Sequence, residues 1–520
     1  MVFRSPWPPA TVPEAPITRY VFERARGLGD RTAMVDAPTG RRITYSALEA
    51  AVERAAAGLA ARGYVPGDVF GIFSPNAIEY AIAFHGVARM GGVVTTVNPL
   101  FTADELATQL RDCAARCLFT IPAFMEKARA AAAQAGLREV VVFGEAEGAV
   151  PLAELLDTPA PVPSPALSLD DVVALPYSSG TTGLPKGVML THRNLVANVE
   201  QFRATFPFEA GDVVMAVLPF FHIYGLQVIL NGGLRQGATL VLLPRFELEG
   251  FLRAIQEHRV TVAFVVPPIL LALAKHPMVA AFDLGSLRVV LSGAAPLGGE
   301  LARAAADRLQ CQVVQGYGMT ETSPVTHTNC GRDSVAKPGS VGALVALTEG
   351  RVVDPGTGRD LGPGEQGEIC VRGPQVMRGY LGRPDATRAM IDPDGWLHTG
   401  DIGYADEDGD FYVVDRLKEL IKYKGCPVAP AELEALLLTH PAVADAAVVP
   451  SPDEEAGEVP KAFVVARAAV TPEDLMACVA ERVAPTKRVR RLELIDQIPK
   501  SASGKILRRV LVERERARSS

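Results

Sequence analysis

The sequence predicts an α/β protein: a large N-terminal domain of wound α/β sheets with a small β-rich subdomain, then a small α+β C-terminal domain. Three observations predict it. Short apolar runs rich in valine and isoleucine alternate with Ala/Arg/Glu segments of helical period. Near residue 338 the texture changes to short runs broken by turn signals. After Asp415-Arg416 about 100 residues remain, enough for a domain of their own. A chain of 520 residues also exceeds what one core accommodates.

In chain order, Met1 to Pro16 is proline-rich and lacks the basic-then-apolar pattern of a secretory leader. Tyr45–Arg62 has helical period. Val69–Phe73, Val93–Val97 (with Thr95 and Thr96) and Val140–Phe143 are short apolar-rich runs, the pattern of strands buried on both faces. Ala153–Asp170, with Pro161, Pro163 and Pro165, reads as a linker. Val172–Leu175 and Val188-Met189-Leu190 predict two strands around a Gly/Ser/Thr loop. Val213–Leu230 and Val260–Ala274 are apolar, but Pro219, His222 and Gln227 interrupt the first and Pro267-Pro268 the second. Neither offers the roughly 20 apolar residues a membrane-spanning helix needs. Further strands are expected at Thr239–Leu243, Val260–Val266 and Arg288–Leu291, and a helix at Gly299–Gln310. Asp354-Pro355-Gly356 and Gly362-Pro363-Gly364 mark turns of the β-rich subdomain across Pro338–Arg372. A helix opens at Pro430, with Glu432 and Glu434 beside its positive end.

Hydrophobic residues make up 48% and charged residues 21%, a globular composition. A formal net charge of -7 argues against a nucleic-acid binder held by phosphate neutralisation. The seven cysteines form no CxxC pair, so reduced thiols in a cytoplasmic protein are expected, not a zinc site or disulfide framework. The terminal Arg518-Ser519-Ser520 is not a peroxisomal address. Oligomeric state is not legible.

The most specific feature is Tyr177-Ser178-Ser179-Gly180-Thr181-Thr182-Gly183-Leu184-Pro185-Lys186-Gly187-Val188. Three glycines, four hydroxyls and a lysine between strands suit a polyphosphate: glycines let backbone N–H groups converge, hydroxyls donate, and lysine adds charge. The spacing is not that of the P-loop, because Lys186 follows proline and no Ser/Thr follows it. With it stand, in order, Pro219-Phe220-Phe221-His222-Ile223-Tyr224-Gly225, Gly316-Tyr317-Gly318-Met319-Thr320-Glu321-Thr322 and Gly367-Glu368-Ile369-Cys370-Val371-Arg372-Gly373. Gly395-Trp396-Leu397-His398-Thr399-Gly400-Asp401, Asp415 to Gly425 and Pro499 to Arg509 follow. Alone, each is an ordinary turn, cap or solvated charge. Together and in this order they resemble the adenylate-forming superfamily of acyl-CoA synthetases, luciferases and adenylation domains. The wording of Lys418 to Gly425 and Ser503-Gly504-Lys505 is similar to 4-coumarate–CoA ligases and their bacterial relatives.

The resemblance implies an ATP-dependent acid–thiol ligase that uses Mg²⁺ and coenzyme A, with a small-molecule carboxylic acid as partner. It implies an N-terminal domain over 1–416, a mobile C-terminal lid over 417–520 and a hinge near Lys418. ATP or AMP would meet Ser178, Ser179, Gly180, Thr181, Thr182, Gly183, Lys186, Ala294, Gly316, Tyr317, Gly318, Thr320, Asp401, Arg416 and Lys505. Among these, Thr181, Thr182 and Lys186 would handle the β/γ-phosphates, Thr320 the α-phosphate, Tyr317 the adenine and Asp401 the ribose. Glu321 would hold Mg²⁺. Lys505 would bridge substrate carboxylate and α-phosphate, His222 would gate the carboxylate, and Lys422 would act in thiol transfer, with coenzyme A along Lys422, Lys424 and Gly425. The acyl pocket would run along Phe221, His222, Tyr224, Val228, Leu291, Ala295, Gly316, Pro324 and Val325.

Three departures qualify this expectation. Cys426-Pro427 stands where relatives carry an aromatic and then glutamine, and proline removes a polar side chain and an N–H, so the thioester half-reaction is expected to be weakened or to rely on Lys422 and backbone groups. Thr486 replaces a usual aromatic, beside Lys487, Arg488, Arg490 and Arg491, which either meet coenzyme A phosphates or form a solvated face. Val228 and Leu291 are apolar where plant hydroxycinnamate ligases place polar groups near the phenol. Acids with an apolar tail are therefore expected, either cinnamate- or 4-coumarate-like or medium-chain fatty acids. A stand-alone enzyme loading a carrier-protein thiol and a catalytically silent AMP sensor are the rivals.

Overall fold

The computed structural model describes residues 1–178, 185–209, 211–331, 337–424, 426–453, 455–501 and 504–519, with Arg26, Cys426, Pro427 and 516–519 described as backbone. Two nine-stranded sheets form the bulk of the chain. In the first, Val150–Pro151, Glu139–Val142, Cys117–Thr120, Val69–Phe73, Val93–Thr96 and Val172–Ala174 lie side by side in parallel. The antiparallel strands Lys186–Thr191 and Tyr177–Ser178 close its edge, and Gly379–Tyr380 joins from far along the chain.

The second sheet runs Thr32–Asp36, Thr239–Leu242, Val213–Ala216, Val262–Val265, Val289–Ser292 and Gln312–Gly318 in parallel. Arg42–Thr44 flanks one side, and Val325–Thr328 with Ala343–Leu344 the other. The parallel strands coincide with the apolar-rich runs of the sequence because both their faces are covered. Helices Tyr45–Ala61, Ile78–Arg89 and His192–Thr205 feed the same apolar cluster as Phe70, Ile72 and Val94 of one sheet and Val214, Met215 and Ala263 of the other. One core therefore cements both sheets.

The β-rich subdomain is a five-stranded antiparallel sheet of Phe3–Arg4, Glu349–Val353, Gly367–Arg372, Leu397–Ala405 and Phe411–Arg416. It extends past Arg372, the end expected from turn signals, because its long strands Leu397–Ala405 and Phe411–Arg416 carry mixed polar faces. From Ile421 onward a separate sheet forms from Cys426–Val428, Ile421–Tyr423, Gly457–Ala466, Val443–Asp453 and Arg491–Leu494, with its own core around Leu433, Val448 and Val464. The helix opening at Pro430 is present as Pro430–Thr439. The expected linker begins inside a short helix, Leu152–Leu156, and then runs without regular structure. Among the described residues no helix is long and apolar enough to cross a membrane.

The run after strand Val213–Ala216 is a π-helix, Tyr224–Gly232, a form that clusters at functional sites. Gly225 makes its entry possible: a Cβ there would lie 2.2 Å from the Pro219 carbonyl oxygen. Gly225→Ala is expected to destabilise the protein by about 1–3 kcal/mol, the usual cost of forcing a methyl group into a filled space. Urea unfolding followed by circular dichroism reads this as a lowered midpoint; an unchanged midpoint would mean that the helix moves off Pro219 without cost.

Candidate active site

The C-terminal ends of the parallel strands, where α/β sheets bind ligands, bring the sequence motifs together. Tyr177–Ser178 and Lys186–Thr191 form a hairpin with Ser178 opposite Lys186 and Tyr177 opposite Gly187. Its tip, with Ser179, Gly180, Thr181, Thr182 and Gly183, lies outside the described residues. Ser178 Oγ donates to Glu321 Oε1 at 2.8 Å, and Tyr380 OH donates to the same oxygen at 2.8 Å. The Lys186 ammonium stands 5.0 Å from the centre of the Tyr380 ring, a cation–π contact. Glu321 is buried in a turn, Thr320–Thr322, whose Glu321 carbonyl accepts from Met377 N–H at 2.8 Å. Tyr380 thus joins Ser178 in tying hairpin to carboxylate, and sequence reasoning missed it. Its short strand gave no period to read, and only its pairing with Val188 reveals it.

Beside this, Tyr317 OH donates to Asp401 Oδ2 at 2.6 Å, and Arg416 Nε lies 3.4 Å from Asp401 Oδ1. Asp401 and Arg416 are direct cross-strand partners. Burial pushes the Asp401 carboxyl above the usual carboxylate range, against the pull of Arg416, Tyr317 and Lys505. Gly318 passes so close to the Ser323-Pro324 turn that a Cβ would meet the Pro324 carbonyl oxygen at 1.8 Å. Tyr317 is consequently presented at the strand end with glycine on both sides.

Lys505 comes to the same place from the other end of the chain. Its loop is closed by Ser501 N–H donating to the Lys505 carbonyl at 2.8 Å and Lys505 N–H donating to Ser501 Oγ at 3.1 Å. The loop rests on the N-terminal domain: a Cβ on Gly504 would lie 3.0 Å from Val266 Cγ2. Docking is held by Ala431 N–H donating to Asp415 Oδ2 at 2.9 Å and by Lys275 Nζ donating to the Leu438 carbonyl at 3.0 Å. Burial first, then Arg416, brings the Lys505 ammonium down to about 8, while Asp401, Glu419 and Glu321 pull the other way. Burial, then the Lys505 charge, lowers His222 to about 4, so its ring is neutral at neutral pH. His222 Nδ1 accepts from Tyr224 N–H at 3.2 Å, which places the neutral ring's proton on Nε2.

The expected acyl-pocket residues gather around the π-helix. Tyr224 OH donates to the Leu291 carbonyl at 3.3 Å, and a Cβ on Gly316 would lie 3.7 Å from Leu291 Cδ2. Thr96 Oγ1 holds the Phe221 carbonyl at 2.6 Å. Val228, Leu291, Pro324 and Val325 are buried, Ala295 is half-buried, and Ala294 is exposed on a left-handed turn, φ +69°. An open recess of about 500 Å³ lined by Asp170, Asp171, Thr191, Asn194, Val376 and Arg378 lies at the opposite end of strand Lys186–Thr191 and is no part of this cluster. Lys422 and Lys424 are exposed on the C-terminal sheet, where Lys422 N–H donates to Glu458 Oε2 at 2.8 Å and Lys424 pairs with Glu455. Gly425 and the Cys426 and Pro427 side chains lie outside the described residues. Lys418 sits exposed in the turn between the two domains' strands. Lys487 and Arg491 pair internally, with Glu432 at 2.8 Å and Asp453 at 3.2 Å.

A family model described as AMP-binding enzyme matches residues 21–381, and one described as AMP-binding enzyme C-terminal domain matches residues 432–505. 4-Coumarate–CoA ligase 3 of Oryza sativa subsp. japonica is 45% identical over 522 residues, spanning 98% of this chain and 94% of the relative. The anthranilate CoA ligase AuaEII in complex with anthranoyl-AMP is similar with a TM-score of 0.90 at 26% identity, covering 97% of this chain and 98% of that one. ATP-bound MatB from Rhodopseudomonas palustris is similar with a TM-score of 0.87 at 30% identity, covering 96% and 99%.

The Lys505 environment makes a direct prediction. Nuclear magnetic resonance of the ¹³C-methylated protein, with Lys505→Arg to assign the signal, should show Lys505 losing its charge near pH 8, far below an ordinary lysine. A midpoint above 10 would mean that the ammonium is solvated and the loop undocked.

Proposed function

This chain belongs to the AMP-binding enzyme family, and we propose that it ligates a cinnamate- or 4-coumarate-like acid, or another apolar-tailed acid, to coenzyme A by way of an acyl-adenylate. The observation that carries this reading is the delivery of Lys505 to the cluster of Asp401, Arg416 and Glu321. Joining a carboxylate to the α-phosphate of ATP brings two anions together, and such transfers depend on positioning and charge stabilisation. A lysine on a separate element can neutralise both anions and then leave.

In this reading Asp401, oriented by Tyr317 and Arg416, accepts from the ribose hydroxyls, and the Tyr317 ring stacks on adenine between Gly316 and Gly318, with Ala294 alongside. Thr320 donates to the α-phosphate, and Ser178, Lys186, Thr181 and Thr182 receive the β/γ-phosphates that depart as pyrophosphate. A carboxylate flanked by phosphate oxygens suits Mg²⁺, and Glu321, buried and fixed by two hydroxyls, fits that role; the ion would supply further charge neutralisation when bound. His222 donates from Nε2 to the acid's carboxylate without adding charge. For the second half-reaction the C-terminal domain turns about Lys418, withdrawing Lys505 and presenting Lys422, Lys424 and Gly425 to coenzyme A, while closure at each stage keeps water from the adenylate. AMP leaves with the thioester.

The apolar pair Val228 and Leu291 supports an acid without a polar tail, since a buried phenol lacking a partner costs about 1–3 kcal/mol. The experiment is to supply ATP, Mg²⁺ and a panel of cinnamate, 4-coumarate, phenylacetate and medium-chain fatty acids, following pyrophosphate and acyl-CoA separately. Both products are expected, cinnamate ahead of 4-coumarate, and Val228→Ser is expected to move that ratio about tenfold toward 4-coumarate. Pyrophosphate without acyl-CoA would point to a carrier-protein thiol instead; neither product from any acid would remove the ligase reading. Pro427→Gln is expected to raise thioester formation while leaving pyrophosphate release unchanged, and equal effects on both would acquit the proline.

A further inference from the structure

Asp401 does not sit in a regular strand. In the pairing of Gly367–Arg372 with Leu397–Ala405, Glu368 faces Ile402 and Cys370 faces His398, so Ile369 alone opposes Thr399, Gly400 and Asp401. The three residues form a bulge, a device that re-aims a side chain beside a site. Gly400, at φ +70°, is its apex. Three bonds hold the bulge from behind. Thr399 Oγ1 donates to the Ile369 carbonyl at 2.6 Å, Leu417 N–H donates to the Gly400 carbonyl at 2.8 Å, and Gly400 N–H donates to Glu368 Oε1 at 3.0 Å.

Only the last of these uses a charged acceptor, and that acceptor is itself clamped. Glu368 Oε2 lies 2.9 Å from His398 Nδ1, which also lies 3.4 Å from the buried Cys370 Sγ. His398 Nε2 faces Asp392 Oδ2 at 3.7 Å, and Asp392 is fixed by Arg351 at 2.8 Å. We infer that Glu368, held by His398, is a positioning residue for the nucleotide site: it fixes the bulge that aims Asp401 at the ribose. The inference rests on the nucleotide reading of Asp401. Cys370 and then Glu368 raise His398 above the usual imidazole range, which favours a charged clamp. Charge-assisted bonds of this kind are about twice as strong as neutral ones. Glu368, Cys370 and His398 also have the donor types of a metal site, their ligand atoms lying within 4.8 Å of one another, but their atoms already bond one another and the Gly400 amide.

The test is AMP binding by calorimetry on the full chain, with steady-state KM for ATP and for the acid. Glu368→Ala is expected to weaken AMP binding and raise the KM for ATP about tenfold, with the acid's KM within about twofold. Glu368→Gln, which keeps the shape, should fall between. His398→Gln, whose amide can still donate to Glu368, should bind AMP within about threefold of the parent, whereas His398→Leu should follow Glu368→Ala. The deciding readout is a double-mutant cycle: with Asp401→Ala already present, Glu368→Ala should cost less than about twofold more, because it acts through Asp401. Additive losses, or equal rises in both KM values, would overturn the inference. A transition metal that copurifies with the parent and is lost in Glu368→Ala, read by elemental analysis, would make the trio a metal site and overturn it as well. A parent protein that does not bind AMP would instead sink the nucleotide reading itself.

Discussion

An ammonium group buried among Asp401, Arg416 and Glu321 must be brought there by the part of the chain that carries it, and that part is a separate sheet with a core of its own. The rest of the architecture follows from this delivery. Burying the charge is costly, which is why the Lys505 pKa falls, and the cost is offset by carboxylates already seated on the N-terminal side. Those carboxylates are in turn held by hydroxyls, Tyr317 on Asp401 and Ser178 with Tyr380 on Glu321, so their charge is oriented by groups other than the lysine. Burial first, and then the nearby Lys505 charge, keeps His222 neutral.

The interface that permits this delivery includes polar contacts. Its hydrogen bonds include Lys275 to a helix-end carbonyl and Asp415 to the first turn of Pro430–Thr439, contacts that can be exchanged for water at small net cost. A dense apolar seam would lock the lysine in place. Polar contacts beside an exposed turn at Lys418 suit an element that alternates between positions.

Much of the scaffold was legible in the sequence because parallel strands covered on both faces favour near-continuous apolar runs, as at Val69–Phe73 and Val289–Leu291. What escaped was structure without a period of its own. The π-helix at Tyr224–Gly232 reads as an apolar stretch, because its cause is the close approach of Gly225 to Pro219. Tyr380 and Glu368 carry local patterns of an ordinary short strand, and their parts emerge only when distant strands pair. For the candidate site, the hairpin chemistry of Ser178 to Lys186 was readable from residue types. The placing of Asp401, Arg416 and Lys505 beside it came from resemblance to a family, since nothing in local spacing could bring Lys505 to Asp401.

Pro427 lies on Cys426–Val428, the outermost strand of the C-terminal sheet, opposite Lys422. A strand at that position offers its unpaired backbone to any other extended chain, and a proline there withholds a donor from such pairing. The residue that departs from the family pattern thus leaves this sheet edge one backbone donor short.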